Sequence, residues 1–166
     1  MHRRFVRKSD TGWDGVPREG YVAGQPGRVL RNTLVGRRKS EPADPGPSIE
    51  VRYFEVPPGA ATRLEKHAHE HVVIGGEGTG HALVGTEVRE LRPRDVVYVA
   101  PFEPHQFVNR GSELFGFFCI VAAHRDYAQP LDAAELSALL ASAAGAYADT
   151  NSMVPSPPET RRGTAG

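Results

Sequence analysis

Three histidines at alternate positions, His67, His69 and His71, stand in the run Leu64-Glu65-Lys66-His67-Ala68-His69-Glu70-His71, and His105 follows in Pro104-His105-Gln106-Phe107-Val108-Asn109. Alternate residues of a β-strand share a face, so the run would line one face with imidazoles. Imidazole is a common ligand of late first-row metals, and a metal site is the chemistry to test. Reach constrains it. A ligating nitrogen must lie ~2.0–2.2 Å from the ion, whereas alternate residues of a strand are ~6.6 Å apart and residues four apart span ~13 Å. Two histidines two apart can converge on one ion; all three can do so only if the strand bends or bulges within the run.

The elements that must position these groups read as short strands. Ile49–Val56 alternates apolar and polar residues before Pro57-Pro58-Gly59. Further strands are expected at His69–Ile74, Gly80–Val84, Glu87–Leu91, Val96–Ala100, His105–Asn109 and Glu113–Ala122. They are separated by Gly75-Gly76-Glu77-Gly78, Gly85-Thr86, Arg92-Pro93-Arg94-Asp95, Pro101-Phe102-Glu103-Pro104 and Arg110-Gly111. Regular short strands with such turns imply an all-β sandwich or barrel. Residues 1–44 form an arm rich in glycine and charge with one strand near Val29–Val35. In that arm Trp13, Val16 and Tyr21 are apolar enough to pack on the domain or on a partner subunit. After Pro130, Asp132 and Glu135 stand in capping-box register, and Leu136, Leu139, Leu140, Ala143 and Tyr147 share a helical face, so a helix of about four turns is expected within 126–148. The tail, 149–166, carries three prolines and little apolar content and is expected to be disordered.

Residues 45–125 resemble the cupin superfamily, whose members are double-stranded β-helix (jelly-roll) barrels. The first cupin motif runs glycine, five residues, His-x-His, three or four residues, Glu, six residues, Gly. With Gly59 on its first glycine, Glu65 and His67 fall on the histidine positions, His71 on the glutamate position and Gly78 on the last glycine. In the second motif His105 and Asn109 match, while Arg94, Ala100 and Phe102 stand where the pattern has glycine, proline and glycine. The His-x-His-x-His run is also similar to a subgroup of small single-domain bacterial cupins.

The resemblance implies a mononuclear site inside the barrel, built from the 65–71 stretch plus His105, holding one divalent first-row transition metal: Fe(II) is favoured, with Mn, Ni or Zn as alternatives. Two ligand sets stay open. One is His67, His69, His71 and His105 on a bent strand, preferred because imidazole is the commoner ligand. The other is Glu65, His67, His71 and His105, with His69 outside the ligand set. Four neutral imidazoles leave a +2 site and the Glu65 set a +1 site, and either favours a small anionic or enolisable molecule. Glu65 and Glu103 are the candidate general bases. Among cupin enzymes a dioxygenase-type oxidoreductase is favoured, with a metal-assisted isomerase or lyase, or a small-molecule-binding cupin without turnover, as alternatives. The fold hosts many chemistries, so the site must decide.

Other partners are constrained by composition. Basic and acidic residues number 20 each, so the overall balance favours neither nucleic acid nor an acidic membrane. The local run Arg37-Arg38-Lys39 can contact phosphate, but reads first as a solvated turn. A single cysteine, Cys119, forms no internal disulfide and reads as a small buried filler. With neither a signal peptide nor an apolar run of ~20 residues, a cytoplasmic location is expected, and a homodimer is expected by analogy with cupins.

Overall fold

The computed structural model describes residues 5–21 and 29–155. Two short pairs open the chain: β1 (Lys8–Ser9) with β2 (Gly12–Trp13), and β3 (Arg18–Gly20) with β4 (Leu30–Val35). The barrel strands follow as β5 (Ile49–Val56), β6 (His71–Glu77), β7 (Gly80–Val84), β8 (Glu87–Leu91), β9 (Val96–Val99), β10 (His105–Val108) and β11 (Phe115–Ala122). They form an antiparallel six-stranded sheet in the order β3-β4-β5-β11-β6-β9 and a three-stranded sheet in the order β10-β7-β8. Antiparallel sheets with one solvated face explain the alternation read in β5.

Between the sheets lies a core that includes Phe54, Val56, Val73, Val99, Phe107, Phe115 and Phe117. The rings of Phe54 and Phe117 stack with centroids 5.2 Å apart. A second apolar cluster of Leu64, Leu83, Val108, Leu131, Leu139 and Ala144 joins the small sheet to the C-terminal segment. The arm covers its own barrel: the Trp13 ring meets Tyr53 at 5.4 Å and Phe118 at 5.8 Å, and Tyr21 meets Phe54 edge-on at 4.8 Å.

Three expectations require correction. The first strand carrying histidine begins at His71, not His69, because residues 67–70 bend away from ladder geometry. The helix α1 spans Ala133–Ala141, shorter than four turns. Its capping box of Asp132 and Glu135 is present, but the extended backbone of Ser142 ends it, and a 3₁₀ turn at Ala143–Ala146 follows. Leu139 is buried whereas Leu140, expected on the same face, is exposed. Finally, the segment from Asp149 is structured as far as Met153. Thr150–Ser152 is a 3₁₀ turn, Ser152 is buried, and Met153 bridges Leu64; residues 156–166 of the expected disordered tail lie outside the described residues, as do 1–4 and 22–28 of the arm. No helix among the described residues is long and apolar enough to cross a membrane.

Candidate metal centre

The four histidines gather at one end of the barrel interior. Ring centroids lie 3.6 Å apart for His67 and His69, 4.4 Å for His67 and His71, 4.7 Å for His67 and His105, and 5.1 Å for His71 and His105. The reach problem is solved by the bend. His71 opens β6, His105 opens β10, and the turn through Ala68 and His69 folds the earlier rings back over His71. Glu65 reaches the same place by pairing with His105: its N–H donates to the His105 carbonyl at 3.2 Å and its carbonyl accepts from the His105 N–H at 2.9 Å.

Hydrogen bonds fix the rings. A carbonyl can only accept, so the contacts of His67 Nδ1 with the His69 carbonyl (2.7 Å) and of His105 Nδ1 with the Glu103 carbonyl (2.9 Å) require Nδ1–H in both rings. His69 Nδ1 lies 2.6 Å from Asp126 Oδ1, which assigns it the same tautomer. Each of these Nε2 atoms then carries a lone pair. His69 Nε2 and His71 Nε2 face each other at 3.2 Å. His67 Nε2 is buried with no hydrogen-bond partner, and so is Glu65 Oε2.

Burial keeps the rings neutral. It lowers the pKa of His69 to about 4, against the opposing bond to Asp126, and that of His105 to about 3, with His67 and His69 nearby adding to the effect. His67 and His71 are likewise pushed down by burial, His71 further by its neighbouring histidines. Burial pushes the Glu65 carboxyl up, though Arg63 and the Tyr21 hydroxyl oppose it.

This donor set fits a metal ion. His67, His69 and His71 form one group of ligand atoms lying within 4.8 Å of one another, and Glu65, His67 and His105 form another. His67 belongs to both. Buried lone pairs without donors are costly unless something satisfies them, and a divalent cation does so for neutral imidazoles. The alternatives left open by spacing, position 65 or position 69, are both brought to the centre.

Glu103, the other candidate base, contributes its carbonyl to His105. Its carboxylate accepts instead from the Ala100 N–H at 3.3 Å, within the turn before β10. Gln106 points away from the centre, to the Thr62 and Asp149 carbonyls, and Asn109 ties the Val56 and Glu113 carbonyls together at 2.7 Å each. Four contributors were not singled out for the site in the sequence. Asp126 holds His69, and Tyr21 donates to Glu65 Oε1 at 3.2 Å. Arg52 donates to Cys119 Sγ at 3.1 Å, and Cys119 Sγ lies 3.5 Å from His71 Nδ1, where burial pushes the thiol pKa up against the pull of Arg52. The inward parity of Arg52 beside Phe54 on β5 was the signal available for that residue; Asp126 left none.

His67, His69, His71 and Glu65 open on a cavity of about 480 Å³. Arg31, Arg37, Arg38, Arg52, Arg63 and Arg125 line it, so the basic turn expected to be solvated borders the site.

The barrel and its histidine cluster define a cupin, and comparison with known proteins agrees. The cupin domain model matches residues 52–121. A cupin-2 domain structure from Rhodospirillum rubrum is 37% identical, covering 87% of this chain and 95% of that one, with a TM-score of 0.70. A cupin 2 conserved barrel domain protein from Rhodopseudomonas palustris is 34% identical, covering 80% and 90%, with a TM-score of 0.67. The chain belongs to the cupin-2 family. It is also similar to the 1-methylthio-D-xylulose 5-phosphate methylsulfurylase of Rhodospirillum rubrum, 44% identical over 92 residues, spanning 55% of this chain and 59% of that relative.

Proposed function

We propose that the chain is a metal-dependent cupin enzyme that moves a proton next to the carbonyl of a small anionic molecule, a reaction of the isomerase or lyase type. The observation that carries it is the convergence of His67 Nε2 and Glu65 Oε2, both buried and unsatisfied, on one cavity shared with His69 and His71, with His105 grouped beside Glu65 and His67. His67, His69, His71 and His105 would hold the ion, which when bound supplies Lewis-acid polarisation of a carbonyl oxygen.

The remaining work falls to the chain. Glu65 takes a proton from the carbon beside the carbonyl; the C–H electron pair becomes a carbon–carbon double bond and the carbonyl pair moves to oxygen. The hydroxyl proton on the first carbon passes to the new alkoxide oxygen, and its O–H pair closes a carbonyl at that first carbon. Return of the carbon-bound proton to the former carbonyl carbon, on the double-bond pair, completes an isomerisation. Tyr21 holds Glu65 Oε1, leaving Oε2 directed at the substrate, and the raised pKa of the buried carboxyl suits a group that must carry a proton between steps. The barrel core around Phe107 and Phe117 excludes water from behind the site.

Proton transfer is ranked ahead of oxygen delivery because the cavity is lined by six arginines, two of them paired with Glu19 and Glu50, and by the Glu65 carboxyl, which together hold an anion and a proton. The methylsulfurylase relative, whose name gives a keto-sugar phosphate, supports the same substrate class. The test is solvent deuterium exchange at the carbon beside the carbonyl of small phosphorylated ketoses, followed by mass spectrometry on metal-loaded protein. Exchange should fall ~10²–10⁴-fold in Glu65→Gln with metal content unchanged. Exchange unchanged in that variant, or absent from the wild type across the ketose series, would contradict the reading.

A further inference from the structure

The inner face of the β4–β5 pair carries more cation than its carboxylates neutralise. Thr33 pairs with Arg52 and Arg31 with Phe54, so Arg31, Thr33 and Arg52 share one face, directed into the cavity beside the histidines. Glu19 pairs with Arg31 at 2.6 Å and Glu50 with the buried Arg125. Arg37, Arg38, Arg52 and Arg63 form no ion pair among the described residues. Arg38 is nevertheless held in place: Nη2 donates to the carbonyls of Arg125 (2.7 Å) and Asp126 (2.6 Å), and its guanidinium lies 4.0 Å above the Tyr127 ring.

Two donors in this wall lack acceptors. Arg52 is 7% exposed, and its Nε, like that of Arg31, is buried without a hydrogen-bond partner. Native structures rarely leave such groups unsatisfied, so a missing acceptor is indicated. One carboxylate is matched by a single guanidinium fork, whereas several forks arranged around a cavity match the oxygens and double charge of a phosphate monoester.

We propose that this arginine wall is the binding site for the phosphate group of the substrate, with Arg31, Arg38, Arg52 and Arg63 as its donors. The proposal rests on the reading above for placing a substrate in the cavity, and adds that the substrate is a phosphate monoester whose reacting end faces the histidines. The phosphate is held by arginine, not by the metal.

Calorimetric titration with inorganic phosphate, and separately with xylulose 5-phosphate and unphosphorylated xylulose, tests this on metal-loaded and chelator-treated protein, with metal content measured in parallel. One phosphate site per chain is expected with or without metal, occupied competitively by xylulose 5-phosphate and not by xylulose. Arg63→Ala and Arg38→Ala should each weaken phosphate binding about tenfold or more. The milder Arg63→Lys should give a smaller loss, because an ammonium lacks the fork. Arg89→Ala, on the far sheet with a largely exposed side chain, should change nothing. Binding that requires metal, that is absent, or that is unchanged in both Arg38→Ala and Arg63→Ala would overturn the proposal. Those outcomes leave the metal reading standing, which fails separately if no metal is retained.

Discussion

Asp126 clamps the Ala68–His69 turn at three points. Its Oδ1 accepts from His69 Nδ1 at 2.6 Å and from the His69 N–H at 3.0 Å, and its Oδ2 accepts from the Ala68 N–H at 2.7 Å. Although burial opposes it, these bonds hold the Asp126 carboxyl below its usual range. The carboxylate thus sets both the tautomer of a candidate ligand and the bend that delivers it. Asp126→Ala should weaken metal binding ~10–100-fold, measured by competition with a chelating dye. Asp126→Asn should lose less, because its amide oxygen can still accept from a backbone N–H. Equal affinity in wild type and Asp126→Ala would show that the clamp does not support the site.

Acid should destabilise the metal-free protein early. His69 and His105 titrate at about 4 and about 3 in the folded chain, against ~6.5 when unfolded. Between those limits the unfolded chain binds more protons, so stability is full above ~6.5 and is lost as pH falls through the folded values. Each such histidine adds a slope of ~1.4 kcal/mol per pH unit within its window. Urea unfolding midpoints of chelator-treated protein should therefore drop steadily from pH 7 to pH 4.5, and a flat profile over that range would contradict the burial of neutral imidazoles.

Two departures from the second cupin motif leave a backbone trace. Arg94 and Phe102 stand where that motif has glycine, and both keep the left-handed conformation that glycine favours, with φ of 75° and 62°. A non-glycine residue there costs ~1–2 kcal/mol. Phe102 is 55% exposed, so little packing is lost on its removal. Arg94→Gly and Phe102→Gly are expected to stabilise the fold by up to ~1 kcal/mol each after the added chain entropy is counted. A lower unfolding midpoint in both variants would refute the strain argument.

The barrel was legible because its strands are short, alternating and punctuated; β5, β7 and β8 begin and end where the turns Pro57-Pro58-Gly59, Gly78-Thr79 and Gly85-Thr86 require. Motif spacing found the positions that converge, including His105. The choice between Glu65 and His69 was not legible, since the bend at Ala68 and His69 is imposed by Asp126, 57 residues later. The basic run at Arg37 read as a solvated turn because local charge carries no information about what the chain returns to cover it. In the fold, Arg38 is fastened to the segment after β11. Cys119 was readable as buried filler, and it is buried, but its contacts with Arg52 and His71 arise from cross-strand pairing.

The central claim is that His67 anchors one metal ion, since it alone is shared by both groups of converging ligand atoms. Titration of chelator-stripped protein with Fe(II), Mn(II), Ni(II) and Zn(II), read by calorimetry and elemental analysis, tests it most directly. The account predicts one ion per chain for at least one of these metals, with His67→Ala losing at least ~100-fold in affinity and more than His69→Ala or Glu65→Gln. No bound ion in the wild type, or undiminished binding in His67→Ala, would contradict it.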